Sequence, residues 1–274
     1  MLTVETADVA IPTLGFGTWP LKGGDCERMV TAALGAGFRH LDTAEMYDNE
    51  DAVGRGLKAA SVPRDQVFVT TKVWHTHLRD GQLQHAAEES LKRLGLDYVD
   101  LYLIHWPSPE VSVQEAIGAL NEVKTRGLAR AVGVANFNVK LIEEAVAASE
   151  AQLATNQVEY HLHLDQTPVL EACRRHGLSL TAYAPIGRGK VLDEPEVKAI
   201  AADHGRTPAQ VALRWLIQQE GVIAIPKTGS LDRLAENLGT LEFSLSDEEM
   251  ARLFKLARPD GRMVRMGVEP EWDT

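Results

Sequence analysis

Short runs of apolar residues alternate along this chain with longer stretches in which apolar positions return every three or four residues, the pattern of repeated strand and helix units. The apolar runs predict strands near residues 14–17, 38–42, 67–72, 98–105, 129–134, 153–157, 178–183 and 222–226. Eight strands separated by helices predict a (β/α)8 TIM barrel. Helix starts are marked by Ser112 with Glu115, Thr207 (before Pro208) with Gln210, and Ser246 with Glu249. Each is a capping-box pattern, in which two side chains reciprocally satisfy amide donors at a helix N-terminus. Gly177, Gly205 and Gly221 supply helix stops. Before the first barrel strand, Leu2-Thr3-Val4 and Val9-Ala10-Ile11 flank a polar turn and predict a hairpin. Residues 246–256 predict an extra C-terminal helix beyond the eighth unit.

Three successive strands deliver titratable groups at the same end. The run 37–42 finishes on Asp42, with Tyr47 five positions on; 67–72 finishes on Lys72; 98–105 finishes on His105. Taken singly, Tyr47 reads as a boundary aromatic, Lys72 as a snorkelling surface residue, Asp42 as a turn former and His105 as a structural histidine. Their joint placement at the carboxyl ends of consecutive parallel strands points to chemistry, because that is the end where barrels build active sites.

Composition narrows the class. A chain of 274 residues, 45% hydrophobic and 24% charged, is long enough for one barrel domain, so residues 1–274 are expected to form a single domain. No low-complexity stretch or linker interrupts it. The formal charge of -11 opposes a general attraction to nucleic acid or anionic membrane. Any phosphate-bearing ligand must therefore find a local basic cluster. Cys26 and Cys173 have no metal-like spacing and are too few for a disulfide framework, which fits a reducing cytoplasm. The start of the chain lacks a secretory pattern, and no apolar run approaches membrane-spanning length.

Gly37-Phe38-Arg39-His40-Leu41-Asp42-Thr43-Ala44, followed by Glu50 and Val53-Gly54, resembles a signature of the aldo-keto reductase family. Gly133-Val134-Ala135-Asn136-Phe137 resembles a second, and Ile225-Pro226-Lys227-Thr228 with Arg233, Glu236 and Asn237 a third. The likeness spans nearly the whole chain. Within the family, His105-Trp106-Pro107-Ser108-Pro109, Thr155-Asn156-Gln157 and Glu269-Pro270-Glu271-Trp272-Asp273 look like the bacterial B-type 2,5-diketogluconate reductases. The resemblance implies carbonyl reduction with Asp42, Tyr47, Lys72 and His105 as a catalytic tetrad. It also places the N-terminal hairpin across the barrel's bottom. Hydride reduction of a carbonyl needs a proton donor at the developing alkoxide. A tyrosine can serve if a lysine ammonium lowers its pKa and a carboxylate keeps that lysine charged and oriented, which are the parts expected of Tyr47, Lys72 and Asp42. By the resemblance His105 hydrogen-bonds the substrate oxygen, and Trp19, Trp74 and Trp106 wall the substrate pocket.

The hydride source implied by the resemblance is nicotinamide held across the barrel mouth, with Asn136 and Gln157 on the carboxamide and Tyr183 stacked on the ring. Gly54-Arg55-Gly56-Leu57-Lys58-Ala59 matches the dinucleotide fingerprint as text, but it lies inside a helical stretch and is set aside. Lys227, Thr228 and Arg233 form the basic cluster that the acidic composition requires. Two cations and a hydroxyl suit a dianionic 2'-phosphate, so NADPH is expected in preference to NADH. Glu236 and Asn237 would contact adenosine. Two positions depart from the family pattern: Ala135 stands where serine is usual, and Thr240 where an apolar residue is.

The expected partner is a small carbonyl substrate, either a dicarbonyl such as methylglyoxal or a keto-sugar acid such as 2,5-diketo-D-gluconate. Arg262, Arg265 and Lys22 are candidates to meet a substrate carboxylate, against the plainer reading of solubilising charges. Partnership with nucleic acid or membrane is not expected, and the family suggests a monomer. Two rival readings are open. The pairs His75/His77 and His161/His163 would share a strand face and suggest a metal-dependent hydrolase, although no third ligand is evident. A nucleotide-sensing binding protein of the same fold is the other.

Overall fold

In the computed structural model, which describes residues 2–273, the chain opens with a hairpin of β1 (Thr3–Thr6) and β2 (Val9–Pro12). The repeat then runs β3 (Phe16–Gly17), α1 (Gly23–Ala36), β4 (His40–Asp42), α2 (Glu50–Ala59), β5 (Phe68–Val73), α3 (Gln82–Leu94), β6 (Val99–Ile104), α4 (Val113–Thr125), β7 (Ala129–Ala135), α5 (Val139–Ala148) and β8 (Leu153–Glu159). It continues through α6 (Thr167–Arg175), β9 (Ser179–Tyr183), α7 (Pro195–Asp203), α8 (Pro208–Ile217), β10 (Val222–Ala224), α9 (Asp232–Leu238) and α10 (Asp247–Phe254). Among the described residues, β3 to β10 form one eight-stranded parallel sheet in chain order. A parallel bridge from Leu14 to Ala224, with hydrogen bonds from Gly15 N to the Ala224 oxygen and Gly17 N to the Pro226 oxygen, joins its two edges. All eight predicted strands are present, and the sheet is a (β/α)8 barrel with the hairpin and the extra C-terminal helix α10. One helix more than a plain repeat, α7, lies between β9 and α8.

The barrel has two cores, set by the period of two along each strand. Outward residues such as Val69, Tyr102, Ile104, Val132 and Val134 pack against the ring of helices. Inward residues Phe68, Leu101, Leu103, Ala131 and Ile223 join Ala7 and Ile11 of the hairpin region, so the bottom of the barrel is apolar and stoppered by the hairpin. Higher on the same inward face of β5 come Thr70 and then Lys72, both buried. The interior thus changes from hydrocarbon at the bottom to ionisable groups at the top.

The helix ends follow the predicted signals with one difference. Thr207 with Gln210 and Ser246 with Glu249 form complete capping boxes. Ser112 accepts from the Glu115 amide without the return bond that would complete the box, and the Glu115 carboxylate lies 4.0 Å from Arg79. Gly177, Gly205 and Gly221 take positive φ at the expected stops.

The text match at residues 54–59 lies within α2, away from any strand-to-helix turn. Its glycines serve helix packing instead. A Cβ on Gly54 would come 2.2 Å from the Leu94 carbonyl oxygen at the end of α3, and one on Gly56 would come 2.7 Å from the Glu27 carbonyl oxygen of α1. We expect Gly54→Ala to destabilise the barrel. Overpacking against backbone costs about 1–3 kcal/mol, and alanine's better helix propensity returns about 1 kcal/mol. A thermal melt should show a lowered Tm; an unchanged or higher Tm would mean that α2 and α3 separate without cost.

Among the described residues, no helix is long and apolar enough to cross a membrane. A cavity of about 550 Å³ is lined by Asp8, Ala10, Arg39, Phe68, Asp100 and Arg130 beside the hairpin, at the end of the barrel away from Lys72. In folds of this kind the bottom face stabilises while the top carries chemistry, so the functional site is sought at the other end.

Candidate active site

Asp42 ends β4 and Lys72 is the penultimate residue of β5, both inward-facing and buried. The Lys72 ammonium donates to Asp42 Oδ1 at 2.5 Å and to the Thr43 carbonyl at 2.7 Å. Its third contact, to the Tyr47 hydroxyl, is longer at 3.5 Å. Gln157, on β8, donates from Nε2 to the other Asp42 oxygen at 2.8 Å. Both carboxylate oxygens are therefore engaged, as a buried charge requires.

Tyr47 closes the short turn Glu45–Tyr47 after β4, and Asp48 follows in a left-handed conformation. Three side chains, Lys22, Glu45 and Asn49, hold this turn. Lys22 Nζ donates to the Tyr47 carbonyl at 2.7 Å and pairs with Asp48 Oδ2 at 3.1 Å. Glu45 accepts from Trp74 N and His77 Nδ1, both at 2.8 Å, which ties the loop after β4 to the loop after β5. Asn49, buried behind the turn, donates to the Leu21 carbonyl at 2.9 Å and accepts from Thr43.

The aromatic walls gather on the same spot. Trp19 lies 5.2 Å from the Tyr47 ring, Tyr47 5.5 Å from His105, and Trp74 5.3 Å from His105, all centroid distances. Trp19 is exposed at the rim, whereas Trp106 is buried and meets Trp272 edge-on at 6.4 Å. Asp42, Tyr47, Lys72, His105 and the three tryptophans thus collect at one end of the barrel.

The electrostatics correct one expectation. With Lys72 alongside, the phenol is still not brought below its usual pKa; Tyr47 is pushed well above the usual tyrosine value by burial, then by Asp42 and Tyr183. The reason is geometric. The ammonium lies nearer to Asp42 and Thr43 than to the phenol, so its pull on the phenol is weaker than the effect of burial. Burial also lowers the Lys72 pKa, with Asp42 opposing. His105 is pushed well below the usual imidazole value by burial, and further by Lys72 and His75. At neutral pH the site presents an un-ionised phenol and a neutral imidazole.

A second group lies on the neighbouring strand ends. Asn136 follows β7 with φ of 63°, a left-handed conformation that asparagine tolerates. Its Nδ2 donates to the His105 carbonyl at 2.9 Å, and its Oδ1 accepts from the Tyr183 hydroxyl at 2.9 Å. Asn136, Gln157 and Tyr183 form one shelf beside the tetrad. Ala135 ends β7, opposite Gln157 in register, on the inward face of Ala131 and Gly133. Lys227, Thr228 and Arg233 stand apart from this shelf, after β10. Lys227 and Arg233 are exposed, while Thr228 is buried and accepts from Ser230 N at 3.0 Å. Glu236 accepts from the Thr207 hydroxyl at 2.7 Å, Asn237 is buried on α9, and Thr240 is buried just beyond.

The histidine pairs do not sit on strands. His75 and His77 lie in a short 3-10 turn, and after β8 His161 opens a turn that contains His163, with rings 6.3 Å apart. His77, His161 and His163 each meet a carboxylate, from Glu45, Glu159 and Glu194. Among the described residues, no three His, Cys, Asp or Glu side chains converge as metal ligands.

Glu159 was not anticipated from the sequence. Fully buried at the end of β8, it accepts from His161 Nε2 at 3.0 Å, from Met263 N at 2.8 Å and from Val264 N at 3.0 Å. Burial alone would raise its pKa, but the His161, Met263 and Val264 bonds outweigh that and hold it below the usual carboxylate value. It pins the segment after α10 to the barrel mouth. An available signal was its position two residues after Gln157, the same strand-end placement that singled out Lys72 and His105.

Comparison with known proteins agrees with the fold. A sequence model of the Aldo/keto reductase family covers residues 13–258. Methylglyoxal reductase DkgB of Escherichia coli O157:H7 is 41% identical over 268 residues, 97% of this chain and 100% of that protein. An aldo-keto reductase of Mycobacterium sp. (strain MCS) is 44% identical over 245 residues, 89% of this chain and 86% of its own. A crystal structure assigned to a 2,5-diketo-D-gluconic acid reductase B is 48% identical with a TM-score of 0.98, covering 100% of this chain and 98% of that one. The aldose reductase of Schistosoma japonicum is 34% identical with a TM-score of 0.91, covering 95% and 94%. With family signatures, barrel and relatives in agreement across nearly its whole length, this chain belongs to the aldo/keto reductase family of carbonyl-reducing oxidoreductases.

Proposed function

We propose that the protein reduces aldehyde and ketone carbonyls with NADPH, taking small dicarbonyls or keto-sugar acids, and that Tyr47 is the general acid. The observation that carries this reading is the fully buried Lys72–Asp42 pair set beneath a phenol that reaches the barrel mouth. Tyr47 arrives protonated and gives its proton to the oxygen of the carbonyl being reduced. The phenolate left behind is stabilised by Lys72, 3.5 Å away, whose charge the Asp42 carboxylate preserves. His105, neutral, hydrogen-bonds the same oxygen and fixes its direction. Trp19, Trp74 and Trp106 exclude water and pack the substrate. The names of the relatives, a methylglyoxal reductase and a 2,5-diketo-D-gluconic acid reductase, support the substrate class.

Bound nicotinamide supplies the hydride. The shelf fits a carboxamide: Gln157 has committed Nε2 to Asp42 and keeps its oxygen, while Asn136 has used one amide hydrogen and its oxygen and keeps a second hydrogen. One acceptor and one donor match the two ends of an amide. Tyr183 offers the ring face. Lys227, Thr228 and Arg233 would hold the 2'-phosphate, with Glu236 and Asn237 on adenosine. In a chain of net charge -11, two exposed cations after the last barrel strand suit an anion. We read residues 1–274 as one domain, acting as a monomer in a reducing cytoplasm, on the composition and the family likeness.

The test is oxidation of NADPH followed by absorbance with methylglyoxal and 2,5-diketo-D-gluconate, in the wild type and in Arg233→Ala. A charge-assisted bond to the 2'-phosphate contributes about 1.5–3 kcal/mol, so the variant should bind NADPH roughly 10- to 150-fold more weakly and NADH almost unchanged. Equal loss with both cofactors would remove Arg233 from the phosphate site. No NADPH oxidation with any carbonyl would remove the whole reading.

A further inference from the structure

The barrel mouth holds a second set of donors that the chemistry above leaves unused. Arg262 and Trp272 lie on the segment after α10, with the guanidinium carbon 3.6 Å over the indole ring. Trp272 in turn packs on Trp106, the residue after His105. Arg262 Nη1 and Trp272 Nε1 are both buried and have no hydrogen-bond partner among the described residues. Buried donors are nearly always paired, and a charged one left unpaired is costly.

The acids close by are already occupied. Glu159 is taken by the Met263 and Val264 amides and by His161. Glu269 is taken by the amides of Met266 and Gly267. The main chain on either side of Arg262 is fixed, and the guanidinium itself is held by its stacking on Trp272. Arg258 N donates to the His163 carbonyl at 3.0 Å, Gly261 packs so tightly that a Cβ would come 1.8 Å from that oxygen, and Glu159 grips the next two amides. Of the three cations considered for a substrate carboxylate, Lys22 is spent on the Tyr47 turn and Arg265 is exposed. Arg262 alone among the three is half-buried, stacked and short of an acceptor.

We propose that Arg262 and the Trp272 indole N–H form a subsite for a substrate carboxylate, so that oxo acids are preferred over neutral carbonyls. An arginine held flat on an aromatic ring presents its fork edge-on to a planar carboxylate, and its fixed position leaves little ordering to be done on binding. The proposal rests on the reading of Asp42, Tyr47, Lys72 and His105 as the reducing site.

The test compares four- to six-carbon oxo acids, each against its own methyl ester, in the wild type, Arg262→Gln and Arg262→Lys. The wild type should favour the acid of the best-fitting length by about 10-fold or more in kcat/KM. Arg262→Gln should lower kcat/KM for that acid by roughly 10- to 100-fold, mainly through KM, while the ester changes by less than about 3-fold. Arg262→Lys should restore part of the loss. The ester serves as the check that the variant is folded. No preference for any acid in the wild type, or equal losses for acid and ester in Arg262→Gln, overturns the subsite while leaving the reducing site intact. A wild type that reduces neither acids, esters nor methylglyoxal overturns the reducing site and the subsite with it.

Discussion

Tyr47→Phe is expected to lower turnover by about 100- to 10,000-fold, the range that general acid catalysis supplies, with cofactor affinity nearly unchanged. The phenylalanine ring keeps the contacts to Trp19 and His105, so the walls stay in place and only the hydroxyl near Lys72 is lost. The wild-type pH profile should be flat across neutrality. Tyr47, raised well above its usual pKa, stays protonated there, and His105, lowered well below its own, stays neutral. Steady-state kinetics and cofactor titration of the variant check both parts. Retention of near-normal turnover would take Tyr47 out of the acid role.

Lys72→Met is expected to damage both activity and stability. Removing the ammonium leaves Asp42, 1% exposed, as a buried carboxylate held only by Gln157. Breaking a buried pair from one side costs about 3–5 kcal/mol, because the remaining charge cannot be hydrated. Turnover should fall about as far as for Tyr47→Phe, since the phenolate then lacks its cation. The double change Asp42→Asn with Lys72→Met separates the two effects: denaturant unfolding should show stability largely recovered while turnover stays low. If the single variant melts like the wild type, the pair is not the buried, mutually dependent unit described here.

Much of this arrangement was legible in the sequence because the period of two in a strand fixes where a side chain points. Phe68, Thr70 and Lys72 had to share a face, and His40 with Asp42 another, so the approach of Asp42 and Lys72 followed once the strands were placed side by side. The capping boxes at Thr207 and Ser246 were equally local, needing only three residues each. What escaped depends on distances between remote parts of the chain. Nothing within ten residues of Glu159 announces that its partners are Met263 and Val264, 104 and 105 positions away. The direction of the Tyr47 shift escaped for a related reason: identity alone shows a lysine near a phenol, whereas the sign depends on burial and on which acceptor the ammonium faces. His75 and His77 were misplaced because alternation looks alike in a strand and in a tight turn.

The grip of Glu159 on the tail has a consequence for redesign. It holds Met263 and Val264 by their backbone N–H groups, so the anchor does not read the side chains at those positions. Only proline, which has no N–H to offer, removes a bond of the anchor outright. The segment beside Trp106 is thus moored by its main chain, and a substitution at 263 or 264 that keeps an N–H leaves both bonds to Glu159 available.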